Sequence, residues 1–195
     1  MGGLDRMAGC GPGGSGGFTL VELVFVMLIV GILGTLVLPL VTPGRWRSDT
    51  AVHTLSVSLN AAQRLAVLRQ HDVVVTFAPA ARALRVHHDA NNNGDVDLGE
   101  ETQVVALPET IGFGPGPVPA LPEGPGIASF AGAPGAPRLT FHRNGSASET
   151  GAVYLRPLQG SQAGRPEAVR ALTVERATGL VRCFSFRPGH WENAC

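Results

Sequence analysis

Residues 18–41, FTLVELVFVMLIVGILGTLVLPLV, form an apolar run of membrane-spanning length that carries a single charge, Glu22. A helix needs about 20 predominantly apolar residues to cross the hydrocarbon core of a bilayer. A carboxylate inside that core is costly unless a partner or a function retains it. The run therefore predicts a helical anchor, and Glu22 is the residue within it that chemistry has to explain.

The string Gly17-Phe18-Thr19-Leu20-Val21-Glu22 resembles the processing site of type IV pilin-like precursors, the pilins and the pseudopilins of type II secretion. The resemblance implies that a membrane-embedded prepilin peptidase cuts after Gly17 and methylates the new amine on Phe18. It also gives Glu22 a role. In a filament of packed helices its carboxylate meets the N-terminal amine of a neighbouring subunit, so two charges that are costly alone become a pair. An ordinary secretory signal places its apolar segment ahead of the cut. Here residues 1–17 are hydrophilic and glycine-rich, and the apolar run follows. They are read as a leader, starting at Met1 or Met7.

Fifteen arginines and no lysine balance fifteen acidic residues, for a formal net charge of zero. No global basic excess points to nucleic acid or acidic lipid. Cys10 would leave with the leader, and Cys183 and Cys195 would remain. An even pair in an exported domain is read as a disulfide tying the tail to the last strand, with two free thiols as the alternative.

Pro39 should kink or loosen the helix. Beyond it, Val52, Leu55, Leu59, Ala62 and Ala66 recur at three- and four-residue spacing. That stripe predicts an amphipathic continuation over 42–71, with Ser48 or Asp49 as an N-cap. From Asp72 the pattern turns to strands: DVVVTF and RALRVH as a hairpin, then TQVVAL, PRLTFH, GAVYLRP, AVRALTVE and GLVRCFSF. Residues 72–195 are thus expected to form one mainly antiparallel sheet, or two small ones, wrapped on the helix. Residues 112–137 are too rich in proline and glycine for a buried strand and read as a surface excursion, with a short strand at 127–130.

This order, together with Leu139-Thr140-Phe141-His142-Arg143-Asn144-Gly145-Ser146-Ala147-Ser148 and Thr178-Gly179-Leu180-Val181-Arg182-Cys183, resembles the GspH/FimT family of minor pseudopilins and minor pilins. The resemblance implies an α+β, pilin-like fold: a long N-terminal transmembrane and amphipathic helix packed on a mainly antiparallel β-sheet domain. It implies a non-enzymatic subunit crossing the bacterial inner membrane once, with its C-terminal domain in the periplasm. Its partners would be other pilins or pseudopilins and an inner-membrane assembly platform. A pseudopilus that drives protein secretion is the expected setting, and a type IV pilus is the alternative. Some family members contact DNA through a Gly-Arg-x-Arg run in the final hairpin. Here that run reads Gly179-Leu180-Val181-Arg182, leaving Arg176, Arg182 and Arg187 nearby. Losing one arginine weakens phosphate binding, so nucleic acid is not expected as a partner.

Residues 89–100, DANNNGDVDLGE, match the calcium-loop pattern through Asp89, Asn91, Asn93, Gly94 and Glu100. Short oxygen side chains at alternate positions let one loop encircle a hard cation, with the Asp95 carbonyl as main-chain ligand, Asp97 direct or through water, and Glu100 closing the site. The same residue types build tight turns, so a Ca2+ site and a plain turn both remain open. Strands on either side exclude an EF-hand pair. His87 and His88 should point to opposite faces of a strand, which argues against a transition-metal site. No nucleophile elbow or P-loop occurs, and Asp72, His142 and Ser146 are scattered, so no enzyme is expected.

Overall fold

The computed structural model describes residues 17, 19–37, 43–95, 97–124, 128–133, 135–160 and 162–194. The chain divides into two compact units, Met1–Val41 and Thr42–Cys195. The first contains α1, Leu20–Val37. The position expected to bend, Pro39, lies outside the described residues.

In the second unit α2 runs over Pro43–Arg69. Proline suits a first helical turn, where its missing N–H has no intrahelical partner anyway. The helix thus begins ahead of Ser48 and Asp49, and the N-cap role expected for them is not what they do. Ser48 is buried within the helix, and Asp49 pairs with Arg170. Ala51, Val52, Leu55, Leu59, Ala62 and Ala66 form the buried stripe. Gln70, at φ 57°, takes the left-handed conformation that ends the helix, and its Nε2 donates to the Val67 carbonyl at 2.7 Å.

Ten strands follow: β1 Asp72–Ala78, β2 Ala83–Asp89, β3 Thr102–Ala106, β4 Ile111–Phe113, β5 Gly132–Ala133, β6 Ala136–Phe141, β7 Gly151–Pro157, β8 Arg170–Val174, β9 Val181–Arg187 and β10 His190–Asn193. They form two five-stranded antiparallel sheets, ordered β3-β2-β1-β6-β5 and β10-β9-β8-β7-β4. One core holds the α2 stripe, Val73, Val75 and Phe77 of β1, Leu139 and Phe141 of β6, and Val153, Leu155 and Leu172 of the second sheet. The α2 stripe is therefore shared by both sheets.

The excursion differs from expectation. Ile111–Phe113, which overlaps its start, is a buried strand on β7. Leu121 and Phe130 are buried as well, and Phe130 stacks on Phe77 with ring centroids 5.4 Å apart. Tyr154 Oη donates to the Gly124 carbonyl and accepts from the Leu121 N–H, fixing the segment from below. Residue 127 lies outside the described residues, and Ala128 makes only a bridge to Val153. Apolar anchors spaced along a proline-rich segment thus hold it down where a periodicity search sees nothing.

Candidate functional site

Thr19 opens α1. Its Oγ1 accepts the Glu22 N–H at 3.2 Å, and its carbonyl accepts the Leu23 N–H at 3.1 Å. Thr19 thus caps the start of the helix, at the head of a Thr-x-x-Glu sequence. A carboxylate in the first turn also complements the helix dipole. Thr19 was missed in the sequence as a functional position, although that signature marks it. Gly17 is exposed, and Phe18 lies outside the described residues. The described side chains of α1 are exposed on every face, from Leu20 to Leu33. A helix apolar all round needs an apolar surrounding, supplied by protein or by lipid. Among the described residues no helix is long and apolar enough to cross a membrane; α1 is described to Val37, and the apolar run in sequence extends to Val41.

The Asp89–Glu100 loop closes largely on itself. Asp89 is buried, its Oδ1 accepting the Asn93 N–H at 3.0 Å and its Oδ2 the Gly94 N–H at 2.7 Å. Asn91 Oδ1 accepts the Asn93 N–H and Asn93 Oδ1 the Asp95 N–H, two successive Asx turns. Gly94, at φ 81°, makes the sharp turn expected of it. Both asparagine amides, of Asn91 and Asn93, donate to Asp97 Oδ2 at 2.7 Å, and the first of these bonds is the main reason the Asp97 carboxyl titrates below its ordinary range. Glu100 accepts the Ala90 N–H through Oε1 and the Asp97 N–H through Oε2; the Asp97 bond is the largest cause of its lowered pKa. These donors are all oxygens, which suits a hard divalent cation in kind. In this conformation two amide N–H groups converge on Asp97, and the Asp95 carbonyl faces a histidine. Among the described residues no group of three or more His, Cys, Asp and Glu side chains is arranged to hold a metal.

That histidine is His87, the floor of the loop. Its Nε2 lies 3.0 Å from the Asp95 carbonyl and 2.8 Å from Glu100 Oε2. Both are acceptors here, so Nε2 carries the proton. The position was missed because its role depends on which face of β2 the register assigns to the loop. His88, on the other face, lies 3.3 Å from Arg69 Nη1, and Arg69 pairs with Glu101 at 2.9 Å. Burial holds the His88 pKa below its usual value, and the Arg69 charge pushes the same way against that of Glu101.

The three arginines near the last hairpin do not form one patch. Arg176 sits in the turn Arg176–Gly179, beside a cleft of about 380 Å3 that also holds His142, Ser146, Thr150 and Glu175. Arg182 lines a neighbouring cleft with Glu123, Glu175 and Leu180. Arg187 is five residues along β9, hence on the opposite face from Arg182, and pairs with Glu192 at 3.3 Å. The structure does bring Asp72 and His142 together, Oδ2 to Nδ1 at 2.8 Å, but the Ser146 hydroxyl donates to Asn144 Oδ1. Cys183 is disulfide-bonded. Cys195 lies outside the described residues, and Ala194 just before it donates to the Cys183 carbonyl at 2.9 Å.

One long helix packed on two antiparallel sheets, preceded in sequence by an apolar helix with a glutamate in its first turn, defines a pilin-like α+β protein. The model of the type II transport protein GspH family matches residues 51–178, and the chain belongs to that family. Pilin-like protein PilA1 of Thermus thermophilus is 36% identical over 86 residues, spanning 44% of this chain. The chain thus covers 55% of that relative's length. Two structures of the minor pseudopilin EpsH from the type II secretion system of Vibrio cholerae are also similar. One has a TM-score of 0.49 at 16% identity, covering 74% of this chain and 99% of its own; the other has 0.47 at 17%, covering 71% and 94%.

Proposed function

We propose that the chain is a non-enzymatic minor pseudopilin of a type II secretion system, held in the inner membrane by residues 18–41 and assembling into or at the tip of a periplasmic filament that drives protein export. The observation that carries this reading is the Gly17-Phe18-Thr19-Leu20-Val21-Glu22 string standing ahead of a domain that belongs to the GspH family. Prepilin peptidase removes residues 1–17 and methylates Phe18. Glu22, at the start of α1, then neutralises the amine of the adjoining subunit, which an apolar helix bundle would otherwise leave unpaired. A tail closed by Cys183 and Cys195 suits the oxidising periplasm. Asp89, Asn91, Asn93, Asp97 and Glu100, with the Asp95 carbonyl, supply the donors for Ca2+, which would brace the loop.

A role as a minor pilin is the second reading, favoured by the similarity to a pilin-like protein. The test of the shared premise is co-expression with a prepilin peptidase and mass spectrometry of the mature N-terminus, with Gly17→Ile as control. A methylated Phe18 start in the parent alone is expected. An intact N-terminus would reduce the chain to an uncleaved anchored domain. Loss of protein export rather than of pilus formation on deletion then separates the two machines.

A further inference from the structure

Among the described residues four strands border the two sheets, and three of them are protected. β5 is two residues long, β4 is three buried residues, and β10 carries Glu192 paired with both His190 and Arg187. Short, covered or charged borders are how a sheet avoids pairing with other chains. β3 has none of these devices. Thr102–Ala106 is five residues without charge or proline, and all but Val105 are exposed.

The ladder fixes which groups β3 offers. The His88 N–H donates to the Glu101 carbonyl and the Leu107 N–H to the Arg82 carbonyl, so the hydrogen-bonded positions facing β2 are 101, 103, 105 and 107. Bonded and non-bonded pairs alternate in an antiparallel ladder, so the N–H and C=O groups of Thr102, Val104 and Ala106 point away from β2. Among the described residues no other strand pairs with them. A row of free backbone donors and acceptors on a sheet border is matched by an extended backbone.

The neighbouring side chains determine what that backbone should carry. Val104, 59% exposed, stands opposite Arg85, Arg85 opposite Thr76, and Thr76 opposite Arg138, one row across a single face of the sheet. Both arginines are exposed, and among the described residues neither meets a carboxylate. With strands about 4.8 Å apart, a residue added opposite Val104 has its Cα about 10 Å from that of Arg85, within reach of two extended side chains of opposite charge. A second copy of this chain is a poor match. Glu192, the carboxylate on a bordering strand, is already paired, and β3 against β3 would bring two arginine-bearing faces side by side.

We propose that β3 is a docking edge for an extended acidic segment of a different protein, which adds to the first sheet with its carboxylates beside Arg85. The edge takes one strand, so the contact does not repeat from copy to copy. It stands apart from the filament reading, because β3 and Arg85 need neither cleavage at Gly17 nor assembly to bind.

The test uses the full chain in detergent micelles and fluorescent peptides that alternate Glu with Val. The Glu–Val peptide is expected to bind, and a Lys–Val counterpart to bind about tenfold more weakly. Arg85→Glu should reverse that order. N-methylation of one alternate set of peptide nitrogens should abolish binding, whereas methylation of the other set, which faces solvent, should leave it within about twofold. Val104→Pro removes an outward N–H and spares the β2 ladder, so it should abolish binding as well. The methylated peptides probe the unaltered chain and decide the matter even where that variant misfolds. Equal sensitivity to both methylated sets, or affinity that follows charge with no effect of methylation, would overturn the proposal. A full-chain dimer that the peptide disperses would also overturn it, by assigning the edge to a second copy.

Discussion

Arg170 on β8 reaches Asp49 on α2, Nε to Oδ1 at 2.6 Å, and so joins the first half of the long helix to the middle of the second sheet. The guanidinium is 7% exposed and the carboxylate 58%. Arg170 also donates through Nη1 to the carbonyls of Glu167 and Val169. A buried guanidinium needs its acceptors, since an unpaired buried charge costs more than the pair gains. Asp49→Ala should destabilise the Thr42–Cys195 unit by about 1 to 2 kcal/mol, at the low end because the carboxylate is partly solvated. Arg170→Met, which orphans two carbonyls as well, should cost about 2 to 4 kcal/mol. Urea unfolding followed by circular dichroism measures both, and an equal or reversed order would refute this account of the pair.

A second link ties α2 to the turns that carry the arginines. Gln63 Nε2 donates to the Gly145 carbonyl at 2.8 Å and to the Thr178 carbonyl at 2.7 Å. Gly179 lies directly beneath, at φ 65°, where an added Cβ would run into the Gln63 amide and the Gly145 carbonyl. Gly179→Ala therefore combines left-handed strain with a backbone clash, and about 2 to 4 kcal/mol of destabilisation is expected. Gln63→Ala should cost about 1 to 2 kcal/mol through its two lost bonds. If Gly179→Ala unfolds at the parental urea concentration, the close approach is not what the glycine is there for.

Much of this architecture is legible in the residues. The stripe Val52, Leu55, Leu59, Ala62 and Ala66, the β1–β2 hairpin and the Arg176–Gly179 turn all follow from spacing and turn chemistry, because each is a local property. The parts that are not legible depend on distant packing. Ile111–Phe113 is too short to show a period and counts as a strand only because β7 lies beside it. Phe130 reads as the end of a short strand in a surface excursion, and its burial shows only once Phe77 is found stacked on it. The β10 segment His190–Asn193 is largely polar, so no hydrophobic alternation marks it. Ser48 and Asp49 resemble caps, but Pro43 had already begun the helix. In the loop, spacing identifies the oxygens, whereas the face of β2 that presents His87 to them is set by strand register.

His88 makes stability depend on pH. Burial lowers its pKa from the ordinary 6.5, so the folded state favours the neutral ring. Between that value and the lower folded one, the unfolded chain binds more protons, and stability rises with pH there. The contribution is complete above about 6.5 and is lost as pH falls through the folded pKa. His88→Gln should flatten the dependence of the unfolding midpoint between about pH 7 and pH 5. A slope unchanged by the substitution would assign the effect to another group.

The loop's two readings separate in a titration. Asp89 accepts two backbone N–H groups from within the buried side of the loop, so Asp89→Ala should cost about 2 to 4 kcal/mol whether or not a metal binds. Asp97 differs, because its partners are two side-chain amides that can rotate away. A hard cation competing for Asp97 and Glu100 would displace those amides and gain two carboxylates, whose hydrogen bonds lower both pKa values and favour the anionic form. If the loop takes Ca2+, adding it raises the unfolding midpoint of the parent in proportion to RT ln(1 + [Ca2+]/Kd), and Asp97→Asn abolishes most of that rise while leaving stability in chelator almost unchanged. Calorimetry showing no heat, with a midpoint indifferent to calcium and chelator alike, would leave the loop as a hydrogen-bonded turn whose asparagines serve its own backbone and Asp97.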